Sequence, residues 1–261
     1  MSGWNQHADL PAISCICLTY GRPRHLLEEA VQSFLLQDYL GEKELLILND
    51  FDRQIFRYDH PQVTVVNLPV RFRTVGEKQN AAAALCRHDL LAVWDDDDIS
   101  LPHRLSYSVT HYDSGKRFFK APFAFRVDNG AILQLMEGPL HVASMWHRSL
   151  FDEVGGYRHM GSGYDQEIEA RFQTIIGAPR DFTEVAPEDV YYLYRWAGTG
   201  SYHTSGLPSS DEGMTDHERI ECLVREGVAD GSIESGELQL EPQWAVDYSG
   251  LVRDYLSTQG S

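Results

Sequence analysis

The feature of this sequence that most constrains its fold is an apolar run that ends in four consecutive carboxylates, Ala92-Val93-Trp94-Asp95-Asp96-Asp97-Asp98-Ile99. Adjacent unit charges repel by roughly 1 kcal/mol in water and about 4 kcal/mol near a protein surface. A fold that holds these side chains together is therefore expected to supply a cation. We interpret the run as a platform for a divalent metal at the carboxyl end of a buried strand.

The first hundred residues alternate between the patterns of buried strands and of amphipathic helices. Apolar runs predict strands over residues 13–20, 44–48, 63–68 and 90–94, and helical spacing predicts helices over residues 24–37 and 76–87. This alternation predicts a parallel, doubly wound sheet, which binds its ligands beyond the carboxyl ends of its strands. Thr19-Tyr20, Asn49-Asp50 and the aspartates at 95–98 follow three of these strands, so we expect them to face one crevice.

The pattern changes after about residue 110. Apolar runs over residues 118–127 and 131–136 flank Asp128-Asn129-Gly130, a strong hairpin signal, and further strands are predicted over residues 142–147 and 190–196. Helices are predicted from Leu101 and over residues 164–174, 216–226 and 248–256. The Gly-, Ser- and Thr-rich stretch 198–213 is expected to be a loop that orders on ligand binding. The second half is therefore expected to be mixed or antiparallel.

Charge and composition exclude several classes of function. A net charge of −17 in 261 residues argues against non-specific binding of nucleic acid or anionic lipid, which depends on clustered Lys and Arg, although a local groove could still admit a nucleic acid. A phosphate-bearing ligand would then need local basic groups or a metal. The first residues lack the basic and apolar segments of a signal peptide, and no apolar run reaches the roughly 18 residues of a membrane span, so a cytoplasmic protein is expected. The four cysteines show no ligand spacing and are expected to be buried free thiols.

Period two in the strand predicts how the four aspartates divide. Asp95 and Asp97 are expected on one face, and Asp96 and Asp98 on the other. Alternate carboxylates can chelate one hard cation, and Mg²⁺ is typically held by one or two carboxylates together with substrate phosphates. An EF-hand loop is a poor match, because Ile99 and Ser100 stand where an oxygen ligand and a glycine are needed.

Four motifs together resemble a known family. They are Thr19-Tyr20-Gly21-Arg22-Pro23, the strand ending in Asn49-Asp50, Gly76-Glu77-Lys78-Gln79-Asn80-Ala81, and Trp94-Asp95-Asp96-Asp97-Asp98-Ile99-Ser100-Leu101-Pro102. In this order and spacing the chain resembles family 2 glycosyltransferases over residues 12–110. A weaker resemblance continues through Gly155-Gly156-Tyr157 and Gly163-Tyr164-Asp165-Gln166-Glu167 to about residue 172.

The resemblance implies an α/β fold of the GT-A type, Rossmann-like, with a mostly parallel central sheet flanked by helices and a mixed or antiparallel second half. It implies one domain, in which residues 12–110 bind a nucleotide sugar, residues 111–210 bind the acceptor and residues 211–261 form an acidic helical tail.

Donor-site roles follow from the same resemblance. Thr19, Tyr20 and Asp50 would line the pocket for the nucleotide base, with Lys78 nearby, and Arg22 is assigned with them to substrate binding. Asp96 would face the ribose or sugar, and Asp97 would be the principal metal ligand, with Asp95 as its partner in a DxD-type motif and Asp98 holding the turn. The chain departs from the family at Gly21, where Asn is usual, and at Asn49, where a first aspartate is usual.

Acceptor-site roles come from the second half. Asp165 would act as the general base on the acceptor hydroxyl, with Glu167 as the second candidate, because a carboxylate within hydrogen-bond reach can remove the proton as the oxygen attacks. Asp165 could instead cap its helix, and Glu167 could lie on a solvated helix face. The resemblance further implies His203 as an additional metal ligand and places Arg195 and Trp196 beside the diphosphate or acceptor. For Arg195 a structural ion pair is the alternative.

The sequence thus predicts a metal-dependent glycosyltransferase, expected to be inverting. It would move a sugar from a nucleoside-diphosphate sugar to an acceptor hydroxyl, with Mn²⁺ or Mg²⁺ as cofactor. A UDP-sugar is the favoured donor. The acceptor is not identified by the sequence. The alternatives are a nucleotidyltransferase of similar architecture and a non-catalytic nucleotide- or glycan-binding relative.

Overall fold

The computed structural model describes residues 10–128, 130–137, 141–177, 185–197, 216–240 and 246–259. The strands in these ranges are β1 (Ile13–Thr19), β2 (Lys43–Asn49), β3 (Phe56–Arg57), β4 (Val63–Asn67), β5 (Leu90–Val93), β6 (Ile99–Ser100), β7 (Phe118–Lys120), β8 (Phe123–Asp128), β9 (Ala131–Glu137), β10 (Ser144–His147), β11 (Tyr192–Ala197) and β12 (Gly236–Glu237). The α-helices are α1 (Arg24–Leu35), α2 (Val75–Leu85), α3 (Arg104–His111), α4 (Arg148–Val154), α5 (Tyr164–Ile176), α6 (Asp216–Asp230) and α7 (Tyr248–Gln259).

The main sheet has the order β4-β2-β1-β5-β10-β7, and its first four strands are parallel. β10 runs antiparallel to both of its neighbours. In the register of the parallel strands Thr19 pairs with Asn49, and Ile16 pairs with Val93. The carboxyl ends of β1, β2 and β5 therefore meet at one edge of the sheet, as the sequence pattern predicts.

β1 contributes side chains to two layers of the core. Ile13, Cys15 and Cys17 face the layer that contains α1, whereas Ile16 faces the layer that contains α2. A parallel strand covered on both faces is expected to be apolar at nearly every position. This explains why the strands of the first half are read so clearly from the sequence.

A second sheet has the order β6-β11-β8-β9 and forms most of the second half. β8 and β9 make the predicted antiparallel hairpin, while β11 is parallel to β8 and antiparallel to β6. The pairing of Tyr192 with Ser100 brings β11 beside the segment that follows the aspartates. A third sheet pairs β12 with β3, so the C-terminal part of the chain is attached to the first half.

One expectation about the second half needs correction, and one further helix is found. The run 118–127 was expected as one strand, but β7 lies in the main sheet and β8 in the second one, with Ala121-Pro122 between them. Proline has no backbone N–H and interrupts a ladder. Helix α4 was not predicted; it begins directly after β10, and the side chain of His147 accepts a hydrogen bond from the Ser149 N–H at its start.

The cysteines are free thiols, with Cys15, Cys17 and Cys86 buried and Cys222 half-buried. Burial raises the pKa of the Cys15 thiol to about 12, so this group stays protonated and inert. No helix in the described part of the chain is long and apolar enough to cross a membrane. The loop predicted over 198–213 lies outside the described residues, and the division of the chain into donor half, acceptor half and tail remains a prediction.

Candidate functional site

The aspartate segment lies between β5 and β6. β5 ends at Val93 and β6 begins at Ile99, so the chain bends through the intervening residues and strand alternation does not apply to them. Asp95, Asp97 and Asp98 each place a carboxylate oxygen within 4.8 Å of the others. The expectation that Asp98 lies with Asp96, away from the other two, is therefore wrong.

Asp96 and Asp97 are paired with an arginine of the chain itself. Arg22, in the loop between β1 and α1, binds both oxygens of Asp96, at 3.0 Å from Nε and 2.8 Å from Nη2. Its Nη1 lies 3.0 Å from Asp97 Oδ2. All three side chains are buried, so Arg22 supplies a cation that the aspartate run requires.

Asp98 fixes the second sheet to this segment. Its Oδ2 accepts a hydrogen bond from the Tyr192 hydroxyl at 2.7 Å, and its Oδ1 accepts one from the Arg195 N–H at 2.7 Å. Asp98 is thus a support for β11 as well as a member of the carboxylate cluster.

Electrostatics in the cluster oppose ionisation. Burial, together with the charges of Asp97 and Asp96, raises the pKa of Asp95 to about 7. Burial and the charges of Asp97 and Asp95 raise the pKa of Asp98 well above its usual range. Three converging carboxylate oxygens in such surroundings are the hard ligands that Mg²⁺ or Mn²⁺ takes, so this chain's residues fit a divalent ion.

A second buried pair lies at the ends of β1 and β2. Lys78 Nζ donates to Asp50 Oδ1 at 2.5 Å and to the Thr19 carbonyl at 2.6 Å, and Asp50 Oδ2 accepts from the Phe72 N–H at 2.9 Å. Burial lowers the pKa of Lys78, while the Asp50 charge opposes this shift. The pair holds the strand ends and α2 together, and it brings Thr19, Asp50 and Lys78 to one place.

Two adjoining cavities form a cleft along this edge. The first, of about 130 Å³, is lined by Tyr20, Asp50, Arg71, Phe72, Arg73, Thr74, Val75, Lys78, Gly161 and Ile220. The second, of about 250 Å³, is lined by Ile16, Leu18, Thr19, Tyr20, Arg22, Arg71, Val75, Lys78, Gln79, Asp95, Asp96, Asp97, Tyr164 and Ile220. Because the two share Tyr20, Arg71, Val75, Lys78 and Ile220, the cleft runs from Asp50 to the aspartate cluster.

Several cleft residues have no role assigned from the sequence, among them Arg71, Gln79 and Ile220. Arg71 places its guanidinium carbon 3.8 Å from the centroid of the Tyr20 ring, and Ile220 comes from α6 in the tail. Gln79 is buried, and its Oε1 has no hydrogen-bond partner among the described residues. Arg71 could have been singled out as a basic residue just before α2 in a strongly acidic chain. No local pattern in the sequence indicates a binding role for Ile220.

The predicted acceptor carboxylates lie in the first turn of α5. Asp165 is half-buried next to Tyr164, which lines the cleft, and no hydrogen bond or ion pair joins Asp165 to another described residue. Glu167 is instead held by Arg171 at 2.6 Å and by Arg158 at 2.7 Å. The hydrogen bond from Arg171 is the main cause that lowers the pKa of Glu167. Of the two carboxylates, Asp165 is the one left uncommitted.

Arg195 forms the structural ion pair that was its alternative role. Its guanidinium donates to the Asp97 carbonyl at 2.5 Å, to Glu29 Oε2 at 2.5 Å and to the Tyr248 hydroxyl at 2.7 Å. The structure describes only the backbone of Trp196, in β11, and His203 lies outside the described residues. The roles assigned to these residues remain predictions.

A buried network anchors α5 behind the cleft. Glu169 binds His141 Nδ1 at 2.7 Å and also Lys120 Nζ, and His141 Nε2 lies 2.7 Å from the Tyr157 hydroxyl. Burial alone would raise the pKa of Glu169, but the contacts with His141 and Lys120 outweigh it and hold the pKa below its usual value. The network ties α5 to β7 and to the segment before β10.

Replacing Glu169 with glutamine is expected to lower the free energy of unfolding by about 3 kcal/mol at pH 7, because Lys120 is left buried with a neutral partner. The folded-state pKa of Glu169 lies below its unfolded value, so its contribution is present above that unfolded value and is lost as pH falls through the folded one. Urea denaturation at several pH values should therefore show the two proteins converging in acid. Glu153→Gln, at a half-exposed ion pair with Arg117, is the control and should change little. An equal loss in the two variants would contradict this account of the network.

Structural comparison identifies the class of fold. Residues 1–349 of TarS from S. aureus in complex with UDP-GlcNAc match with a TM-score of 0.55 and 15% sequence identity, over 88% of this chain and 68% of that one. The same TarS fragment without ligand matches with a TM-score of 0.51 and 14% identity, over 70% of this chain and 60% of that one. At this identity the likeness concerns the fold, which is the GT-A fold predicted from the sequence.

Family membership comes from the sequence itself. The family described as "Glycosyl transferase family 2" matches residues 14–166, more than half of the chain. A comparison with curated proteins finds no match. The protein therefore belongs to glycosyl transferase family 2, and the predicted resemblance is confirmed. The chain spans 60–68% of the length of the TarS fragment.

Proposed function

We propose that the protein is a glycosyltransferase that moves a sugar from a nucleoside-diphosphate sugar to an acceptor hydroxyl and requires a divalent metal. The observation that carries this proposal is the cleft that runs from Asp50 to the aspartate cluster, with α5 at its side. A nucleoside diphosphate is also elongated, with a base at one end and a charged diphosphate at the other, so it would fit along such a cleft. UDP-sugars are the favoured donors, because the structurally similar TarS fragment is described in complexes with UDP and UDP-GlcNAc.

The base end of the cleft would be recognised by Tyr20 and Asp50. Asp50 is held by Lys78 and by the Phe72 N–H, so its orientation is fixed before the nucleotide arrives. Tyr20 lines the same cavity, and the guanidinium carbon of Arg71 lies 3.8 Å from the centroid of its ring. Preorganised side chains of this kind reduce the entropy that is lost on binding.

Asp95, Asp97 and Asp98 would hold Mg²⁺ or Mn²⁺ at the other end, with His203 as a further proposed ligand. When bound, the ion neutralises charge on the leaving nucleoside diphosphate. Arg22 keeps Asp96 and Asp97 in place and lines the same cavity, so its guanidinium lies where a diphosphate would need a cation. Asp96 would face the ribose or the sugar.

Asp165 would remove the proton from the acceptor hydroxyl as its oxygen attacks the anomeric carbon and the bond to the diphosphate breaks. Direct displacement from the face opposite the leaving group inverts the anomeric configuration. The support is the position of Asp165 beside the cleft-lining Tyr164 and its lack of another partner among the described residues. Glu167 remains the second candidate.

Nothing in the described residues favours a nucleotidyltransferase. Such an enzyme would be expected to carry a glycine-rich, basic loop directly after the first strand. Here the loop after β1 contains one glycine, and its Arg22 is engaged by Asp96 and Asp97. This loop therefore lacks the glycine-rich backbone that would cradle a triphosphate.

Calorimetric titration tests the proposal directly. UDP is expected to bind the full chain in the presence of Mn²⁺, and to bind at least about tenfold more weakly when EDTA replaces the metal. Titrations with GDP, UDP-glucose and UDP-GlcNAc would define the base and the sugar. A protein that ignores every nucleotide under both conditions would instead be a non-catalytic relative.

A further inference from the structure

Helix α6 of the C-terminal tail lies against the base end of the cleft. Ile220, Val224 and Val228 recur at intervals of four residues and form one apolar stripe. This stripe packs with Tyr20 and Phe51 in a small separate core. Ile220 also lines both cavities of the cleft, so the helix contributes directly to its wall.

The close approach of α6 depends on Gly21. A Cβ atom at this position would lie 2.5 Å from Val224 Cγ1 and 2.6 Å from Val224 Cγ2, so a side chain here would force Val224 to move. Gly21 also has a φ of 56°, a conformation that favours glycine. The departure from the family at this position thus has a physical reason, because the missing side chain leaves room for α6.

Glu221 connects α6 to two side chains of the cleft. Its Oε1 accepts a hydrogen bond from the Tyr20 hydroxyl at 2.9 Å and one from Arg71 Nη1 at 2.8 Å. Arg71 is thereby held over the Tyr20 ring. Both residues line the junction of the two cavities, where the base end of the cleft meets its phosphate end.

The tail is also fixed on the other side of α6. Gln54 Nε2 donates to the Glu234 carbonyl at 3.1 Å, and the Ile55 N–H donates to Ser235 Oγ at 2.9 Å. β12 then pairs with β3. The helix is therefore attached at its apolar stripe and at its C-terminal end, so its contact with the cleft is part of the fold.

We propose that α6 forms a wall of the base end of the donor cleft and that Glu221 is a positioning residue. Glu221 holds Tyr20 and Arg71 in the orientation that receives the nucleoside of a nucleoside diphosphate. This inference rests on the proposed function. It assigns a binding role to the acidic tail, whose sequence shows no motif for it.

The test compares two alanine variants of the same helix in the full chain. Glu221→Ala removes the shared acceptor, whereas Glu226→Ala removes the same charge from an exposed position of α6. With UDP and Mn²⁺ in a calorimeter, Glu221→Ala should raise Kd about fivefold to tenfold, the effect of losing charge-assisted hydrogen bonds. Glu226→Ala should stay within about twofold of the wild type. Glu221→Gln keeps one acceptor oxygen and should fall between them.

Donor hydrolysis with UDP-glucose gives the second readout. In Glu221→Ala the donor KM should rise by the same factor while kcat at saturation is unchanged, because the reacting groups are untouched. Unchanged or tighter UDP binding in Glu221→Ala would overturn the inference while leaving the proposed function intact. If the wild type bound neither UDP nor GDP in the presence of Mn²⁺, the proposed function would be refuted, and this inference with it.

Discussion

Replacing Asp97 with asparagine is expected to lower kcat/KM for donor hydrolysis by about 10³-fold, equivalent to roughly 4 kcal/mol of transition-state stabilisation. Asp97 belongs to both charged systems of the site, since its side chain lies in the carboxylate cluster and also contacts Arg22. Asparagine keeps the size of the side chain but removes the charge that a divalent ion needs. The measurement is release of UDP from UDP-glucose, with Mn²⁺ varied.

The same substitution is expected to leave the metal-free protein nearly as stable as the wild type. The charge of Asp97 helps to raise the pKa of both Asp95 and Asp98, so its removal relieves repulsion in a buried cluster. That gain offsets the weakened contact with Arg22, which keeps both of its bonds to Asp96. The melting temperature without metal should therefore change little, while the increase on adding Mn²⁺ should disappear.

Asp254→Asn, at an exposed position of α7, is the matched control and should retain activity and the response to Mn²⁺. Retention of Mn²⁺-dependent UDP binding and of hydrolysis in Asp97→Asn would show that the aspartate cluster is not the metal site. The metal ligands would then have to be sought among residues outside this cluster.

The first half of the fold could be predicted because its signals are local. A parallel strand covered on both faces is apolar along its length, and α1 and α2 carry their own periodicity, so β1, β2, β4 and β5 are found within a residue or two. The meeting of Thr19, Asp50 and the aspartates at one edge follows from the direction of the strands alone. No long-range contact needed to be known.

The arrangement within the aspartate run could not be predicted in the same way. Period two holds only while the chain remains a strand, and the sequence does not mark Val93 as the last strand residue. The bend that follows brings Asp98 to Asp95 and Asp97 and leaves Asp96 to Arg22. A short loop is governed by its partners in space, which here are Arg22 and β11.

The contacts between the tail and the cleft could not be predicted from the sequence for a related reason. Glu221 meets Tyr20 across 201 positions of the chain, and Val224 fills the space left by Gly21. Neither residue is unusual in an amphipathic helix, so pattern alone gave α6 no role. Only the packing of the tail onto the cleft shows why a glycine stands after Tyr20.

Replacing Asp165 with asparagine is expected to lower kcat for donor hydrolysis by about 10²- to 10⁴-fold, the usual contribution of a general base. Water stands in for the unknown acceptor, because it too must lose a proton as it attacks the anomeric carbon. Asp165 does not line the cavity at the base end of the cleft, so Kd for UDP should stay within about twofold of the wild type. A fall in kcat with unchanged nucleotide binding would separate a role in chemistry from a role in holding the donor.

Glu167→Gln is the discriminating partner, because Glu167 lies in the same turn of α5 but is paired with Arg171 and Arg158. It should cost some stability and leave kcat within a few-fold. If Glu167→Gln lost activity while Asp165→Asn kept it, Glu167 would be the base. If both variants kept full activity, neither carboxylate would be the base, and the proposed role of α5 in removing the acceptor proton would be refuted.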